Sequence, residues 1–282
     1  MEKREYFKGF YFKCANDKQA IAFIPSANYY SGETNALLQI ITDNEACQLP
    51  FPQIKFCEKP LFAKLGQNIF SQDGIKLNIN TKKLNVHGAL KFGKLTPINY
   101  DIMGPFKYVP FMQCRHSVYS MAHRVDGNIT VNDQKYEFKN GVGYIEGDRG
   151  SSFPKRYVWT ECNFDNGSIM LSAADIPIFG SCFTGIICVV MLNGKEYRLA
   201  TYLGAKLKYV GNNSITVSQG GYELTAKLVK KNAHPLSAPV NGKMSRTIHE
   251  SASCTAYYRF SFNKKVLCEF TSDRASFEFE YK

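Results

Sequence analysis

Along most of the chain, apolar and polar residues alternate with a period of two, in short runs bounded by Asn, Asp and Gly. That pattern predicts antiparallel strands joined by tight turns. Asn16-Asp17-Lys18 separates Tyr6–Ala15 from Gln19–Pro25, and Asp73-Gly74 separates Leu61–Ser71 from Ile75–Asn80. Asp165-Asn166-Gly167, Asn193-Gly194, Gly211-Asn212-Asn213 and Gly220-Gly221 have the same character, because Asn and Gly accept the left-handed backbone that two-residue hairpins need. Asp126-Gly127-Asn128 predicts a further hairpin between Arg115–Val125 and Ile129–Val131, Asn140-Gly141 a turn, and Asp273 one of the last turns. Cys47–Pro60 reads as a loop or edge, Pro97–Val109 as a long connection and Ala233–Met244 as an irregular loop. There is no long amphipathic helix. A chain of sequential hairpins closes into barrels or stacks as sandwiches. At 282 residues two such units in tandem are expected, an N-terminal one over residues 1–155 and a C-terminal one over 156–282.

Composition supports an all-β reading: 21 Phe and 17 Tyr favour sheet, and 44% hydrophobic residues supply ample core. The formal charge of +11 is spread without a stripe or tail. Scattered lysines explain it better than a stacking platform, so no nucleic-acid partner is expected. Nine cysteines without a Cys-x-x-Cys pair fit free thiols in a reducing cytoplasm, and a cytoplasmic location is expected. The opening MEKREYFKGFYFK lacks the apolar run of a signal peptide. Ile176–Leu192 is nearly uncharged but is broken by Pro177, Gly180 and Gly185 and runs into an Asn-Gly turn. It reads as two buried strand pieces broken near Gly180 rather than a membrane helix, with peripheral membrane contact left open. No glycine loop leads into a helix, so NAD and ATP are not expected, and no cofactor is. No Gly-x-Ser-x-Gly elbow is present. Cys114 and His116 share a strand face, but His123 falls on the opposite parity and the other histidines are scattered, so no metal site is expected.

The stretch from Gly141 to Asn163, GVGYIEGDRGSSFPKRYVWTECN, holds the densest chemistry and the chain's only tryptophan. In extended form Tyr144, Glu146 and Asp148 share one face, opposite Ile145 and Arg149. After the Phe153-Pro154 break, Tyr157, Trp159, Glu161 and Asn163 share another, opposite Val158 and Cys162. Such faces suit the wall of a cavity. A carboxyl buried there can stay protonated as a general acid, and aromatic faces can stabilise a carbocation beside it. That equipment would protonate an alkene and capture the cation with oxygen. The competing reading is structural: Trp159 packs under a loop, Glu161 meets solvent, and Glu146 or Asp148 pairs with Arg149 or Arg156.

Tyr144, Glu146, Asp148, Gly150, Phe153, Pro154, Tyr157, Trp159 and Asn163 together resemble the signature of tocopherol cyclases and their bacterial relatives. EYFKGFYFK followed by AIAFIPS, with Gly9, Tyr11 and Phe12, resembles the opening of the same family, and Ala200–Ala205, ATYLGA, also fits. Glu146-Gly147-Asp148-Arg149-Gly150 lacks the Lys and Trp of the plant enzymes, Tyr157 stands where they tend to have Trp, and Glu161 where they tend to have Gln. The resemblance implies two tandem lipocalin-like barrels, as in related carotenoid hydratases and certain pericyclases, with the ligand in or between them. It implies acid-assisted cyclisation or hydration of a small isoprenoid or aromatic substrate. Glu146, Asp148 or Glu161 would supply the proton. Tyr144, Tyr157 and Trp159 would shape the cavity, Arg149 and Asn163 orient polar ends, and His116 and Tyr202 complete the substrate-binding set. A non-catalytic lipocalin-like carrier of a hydrophobic molecule is the alternative. A sugar- or nucleic-acid-binding β module would instead show an exposed aromatic groove.

Overall fold

A computed structural model describes residues 5–110, 112–178 and 181–281. Residues 1–4 of the opening segment and the expected break at Gly180 lie outside the described residues. The first sheet is built from β1 (Tyr6–Ala15), β2 (Ala20–Tyr30), β3 (Glu33–Thr42), β4 (Ala46–Phe51), β5 (Lys55–Glu58), β6 (Leu61–Leu65), β7 (Asn68–Ser71), β8 (Gly74–Asn80), β9 (Asn85–Phe92), β10 (Cys114–Val131) and β11 (Gln134–Gly150). Its order is β4-β3-β2-β1-β11-β10-β9-β8-β7-β6-β5, antiparallel throughout. The second sheet uses β12 (Tyr157–Phe164), β13 (Gly167–Ile178), β14 (Ser181–Leu192), β15 (Lys195–Ala200), β16 (Lys206–Gly211), β17 (Ser214–Gln219), β18 (Tyr222–Lys230), β21 (Cys254–Phe262) and β22 (Lys265–Phe279), ordered β15-β14-β13-β12-β22-β21-β18-β17-β16. Between β18 and β21 the chain forms a separate hairpin, β19 (His234–Val240) and β20 (Lys243–Glu250). Both large sheets are strongly curled half-barrels.

Side-chain parity divides the core in three. Phe10, Phe12, Phe23 and Phe70 fill the concave side of the first sheet, and Tyr258, Phe260 and Phe277 that of the second. The alternate residues of the same strands, Tyr11, Tyr144, Tyr157, Trp159 and Met170, meet between the sheets. The Asn193-Gly194 turn behaves as its sequence predicts, with φ of 51° and 76°.

Three turn signals depart from the sequence pattern. Asp126-Gly127-Asn128 is no hairpin turn. β10 runs straight through it, Gly127 having a φ of 120°, and the extra residue of the register shift lies opposite in β11, where Lys139 and Asn140 face Asp126. Asn140-Gly141 and Asp273 likewise lie inside long strands, β11 and β22. Long strands absorb such residues as local twists where neighbours on both sides hold the ladder. A Cβ at position 127 would sit 2.3 Å from the Ala89 carbonyl oxygen, so Gly127→Ala is expected to lower stability by more than about 1 kcal/mol, read as a shifted urea midpoint.

Ala233–Met244 is not irregular but holds the β19–β20 hairpin, closed at Asn241-Gly242. Its prolines, Pro235 and Pro239, are tolerated because a two-stranded ribbon has free edges. The hairpin docks on the first sheet. Asn28 Nδ2 donates to the Gly242 carbonyl (2.8 Å), Ser237 N donates to Gln39 Oε1 (3.0 Å), and Asn241 N donates to Ser152 Oγ (2.7 Å).

In Ile176–Leu192, β13 and β14 pair along their length, but Pro177 and Cys182 are exposed rather than buried. Among the described residues no helix is long and apolar enough to cross a membrane.

Candidate functional site

A cavity of about 170 Å³ opens between the two sheets. The first sheet, the second sheet and the β19–β20 hairpin form its walls, and Met103 and Phe106, in and beside the 3-10 turn Gly104–Tyr108, face it from the connection before β10. Most of its surface is hydrocarbon. Into it project His116, Glu146, Asp148, Glu250 and Glu278.

Glu146 occupies the middle of a donor set. Its Oε2 accepts hydrogen bonds from the Tyr144 hydroxyl (2.6 Å) and the Trp159 indole N–H (3.1 Å). His116 Nε2 makes an ion-pair contact to the same oxygen at 3.0 Å, off the direction of a good hydrogen bond. The other ring nitrogen, Nδ1, bonds Asp148 Oδ1 at 2.9 Å, and the Cys114 thiol lies 3.6 Å from that oxygen. Adjacent strands place these groups, since His116 is the register partner of Asp148 across β10 and β11. Trp159 packs edge-on to Tyr11 at 5.4 Å. Glu278 is the cross-strand neighbour of Trp159 and accepts from the Tyr157 hydroxyl.

Burial dominates the electrostatics. It pushes the Glu146 carboxyl above its ordinary range, partly offset by His116 and by the Tyr144 hydrogen bond. Burial alone would lower the His116 pKa, but the Glu146 and Asp148 carboxylates outweigh it and hold the ring well above its ordinary value, as an imidazolium. Glu250 is raised well above the carboxylate range by burial and by the charges of Glu278 and Glu146. Burial lifts Glu278 to about 8 against the Tyr157 hydrogen bond. Tyr11, Tyr144 and Tyr157 are raised by burial too and stay hydroxyl donors.

Each of Glu278, Glu250 and His116 therefore binds its proton more tightly folded than unfolded. Their stabilisation is fully present below the unfolded pKa and is lost as pH rises through the folded one. For Glu278 the window runs from 4.5 to about 8. Stability should fall with rising pH across it, by up to about 1.4 kcal/mol per pH unit for each group releasing a full proton. Urea midpoints across that range check this, and Glu278→Gln should flatten the slope; an unchanged slope would mean that Glu278 does not titrate there.

The structure brings together Glu146, Asp148, His116, Tyr157 and Trp159 on the cavity wall, with Tyr144 behind Glu146. It places the other expected residues elsewhere. Glu161 is buried on the Trp159 face but beyond the cavity, bonded through Oε1 to the Lys13 ammonium. Arg149, on the opposite parity, points out to Glu58 at 2.6 Å. Asn163 lines a second, more polar cleft with Lys13 and Arg274. Tyr202 braces the connection before β10, donating to the Ile102 carbonyl at 3.0 Å. The structural alternative fails in its particulars, because Glu146 and Asp148 pair with His116, and Arg156 lies 3.5 Å from Asp175 instead.

Among the described residues His116, Glu146 and Asp148 form a group that offers three metal-ligand atoms within 4.8 Å of one another. Both imidazole nitrogens already face a carboxylate, so the trio reads as a closed ion-paired network rather than three ligands aimed at one point. Glu250 and Glu278 were absent from the sequence-derived set.

Two curled antiparallel half-barrels enclosing a hydrocarbon cavity define a lipocalin-like two-barrel protein. A family profile described as tocopherol cyclase-like matches residues 63–278, and the chain belongs to that family. No curated protein matches its sequence. Among solved structures, CghA with Sch210972 aligns over 99% of this chain and 89% of its own at a TM-score of 0.64 and 8% identity. Kievitone hydratase from Nectria haematococca aligns over 99% and 89% at 0.55 and 10%. An AttH protein from Nitrosomonas europaea aligns over 98% and 92% at 0.52 and 10%. At these identities the likeness is one of fold.

Proposed function

We propose that this protein is an acid-dependent cyclase or hydratase acting on a small hydrophobic isoprenoid or prenylated aromatic substrate held between the sheets. The observation that carries the reading is the combination of a hydrocarbon cavity with buried carboxyls that hold their protons near neutral pH. Such a carboxyl can protonate an alkene where water would not compete. The faces of Trp159 and Tyr157 would stabilise the resulting cation. A hydroxyl of the substrate, or a water, would then capture it. Glu146, fixed by two hydrogen-bond donors and the His116 ion pair, orients the reacting groups, and Asp148 keeps His116 charged beside it. The family and the fold of a named hydratase are consistent with this chemistry. In this reading Glu161 acts on stability, through Lys13.

The test is incubation of the purified protein with a prenylated phenol in heavy water. Cyclisation leaves the molecular composition unchanged apart from one carbon-bound deuterium and removes the alkene; hydration adds a water as well. Recovery of the phenol bound but untransformed would favour the carrier reading. Neither binding nor turnover would remove the proposal for this substrate class.

A further inference from the structure

Glu250 is the cavity group that the network around Glu146 leaves out. It ends β20, is 3% exposed and lines the cavity, and its Oε1 is buried with no hydrogen-bond partner. A buried carboxylate oxygen without a donor is costly, whereas a carboxylic acid needs no cation beside it. No Lys or Arg forms an ion pair with Glu250 among the described residues. Its electrostatic neighbours are the carboxyls of Glu278 and Glu146 and the Tyr11 hydroxyl. Glu278 in turn is tied to the Tyr157 hydroxyl and faces the charges of Glu146, Asp148 and Glu280. Arg246 is the nearby cation, over the Tyr157 ring at 5.8 Å and paired with Glu280 at 3.0 Å. Acids crowded into one buried site titrate as a set, because each carboxylate that forms makes the next harder to form.

We propose that Glu250 is the resident proton donor of the cavity, with Glu278 as its positioning partner, and that the Glu146–His116–Asp148 network takes up the proton released on capture. This rests on the reading of the protein as an acid-dependent cyclase or hydratase. In the step, the alkene π pair forms a C–H bond with the Glu250 proton, and the O–H electrons remain on Glu250 as a carboxylate. The adjacent carbon becomes the cation. A lone pair of the substrate hydroxyl, or of water, forms the C–O bond. The oxygen's proton passes to the Glu146 carboxylate as its O–H bond breaks. Return of that proton to Glu250 through the cavity resets the site, so no oxidant or reductant is needed.

The experiment has a readout independent of turnover. Infrared spectra of the unliganded protein at pH 7 should contain a carboxylic C=O band, beside that of Glu278, that is missing in Glu250→Gln and present in Glu146→Gln. In Glu278→Gln the Glu250 band should vanish at lower pH than in the wild type, because the charge that forms on Glu278 as pH rises is gone. With the prenylated phenol, Glu250→Gln should slow carbon deuteration by about 10²-fold or more. A band unchanged in Glu250→Gln, a band in Glu278→Gln that does not move, or full deuteration by Glu250→Gln would overturn the assignment. If the wild type leaves the phenol untouched while the band behaves as stated, the cyclase or hydratase reading fails for that substrate class and the protonated Glu250 stands. Circular dichroism of each variant separates these outcomes from misfolding.

Discussion

Replacing Lys13 with methionine is expected to destabilise the fold by about 3–5 kcal/mol, a large part of the ~5–15 kcal/mol that holds a typical domain together. Lys13 comes from β1 and Glu161 from β12, so their contact ties the two sheets together. Their side chains are 3% and 1% exposed. The ammonium also donates to the Arg274 carbonyl at 2.7 Å, while Glu161 Oε2 is buried without a partner. Removing the cation leaves an uncompensated carboxylate in the interior. The double substitution Lys13→Met with Glu161→Met should recover most of the loss, because two apolar side chains of similar size replace two desolvated charges. Chemical denaturation of the single and double variants checks both. A Lys13→Met protein within about 1 kcal/mol of the wild type would show that water reaches this pair.

Glu146→Gln is expected to reduce turnover by about 10²–10⁴-fold with the fold preserved. The amide keeps the shape and can still accept from Tyr144 and Trp159, whose hydrogen bonds fix the position. It removes the charge that faces His116 and the capacity to accept a proton. Single-turnover rates with the prenylated phenol, beside a thermal melt, separate chemistry from stability. A wild-type rate in this variant would take Glu146 out of the mechanism. The contrast with Lys13 is diagnostic: one substitution should spare stability and stop the reaction, the other should weaken the fold.

Period-two alternation made most of the strands legible in the sequence, and with them the sharing of faces by Tyr144, Glu146 and Asp148 and by Tyr157 and Trp159. What those faces look at was not local information. Arg149, expected to orient polar ends of the substrate, alternates with Asp148, so the strand's parity turns it away from the cavity and into contact with Glu58. Glu161 has the parity of Trp159 but sits two residues farther along, where Lys13 of another strand reaches it. Glu278 lies in the alternation Phe277-Glu278-Phe279-Glu280, which reads as a strand with a solvated acidic face. Only its pairing with β12 turns that face inward. Glu250 ends a hairpin that begins within a stretch whose prolines mask its strand character, although Asn241-Gly242 was a usable hairpin signal. Gly127 misled for a related reason: an Asp-Gly-Asn triplet signals a turn only when neighbouring strands do not pull it straight.

The β19–β20 ribbon has a consequence for how the chain is made. Residues 234–250 are translated long after the first sheet, yet Leu236, Ala238 and Ile248 cover the apolar face to which Ala22 and Ile41 contribute. During synthesis that face must wait, uncovered, while most of the second half emerges. A nascent chain stalled before residue 234 would therefore present a greasy flank to holdase chaperones, and it would also lack Glu250.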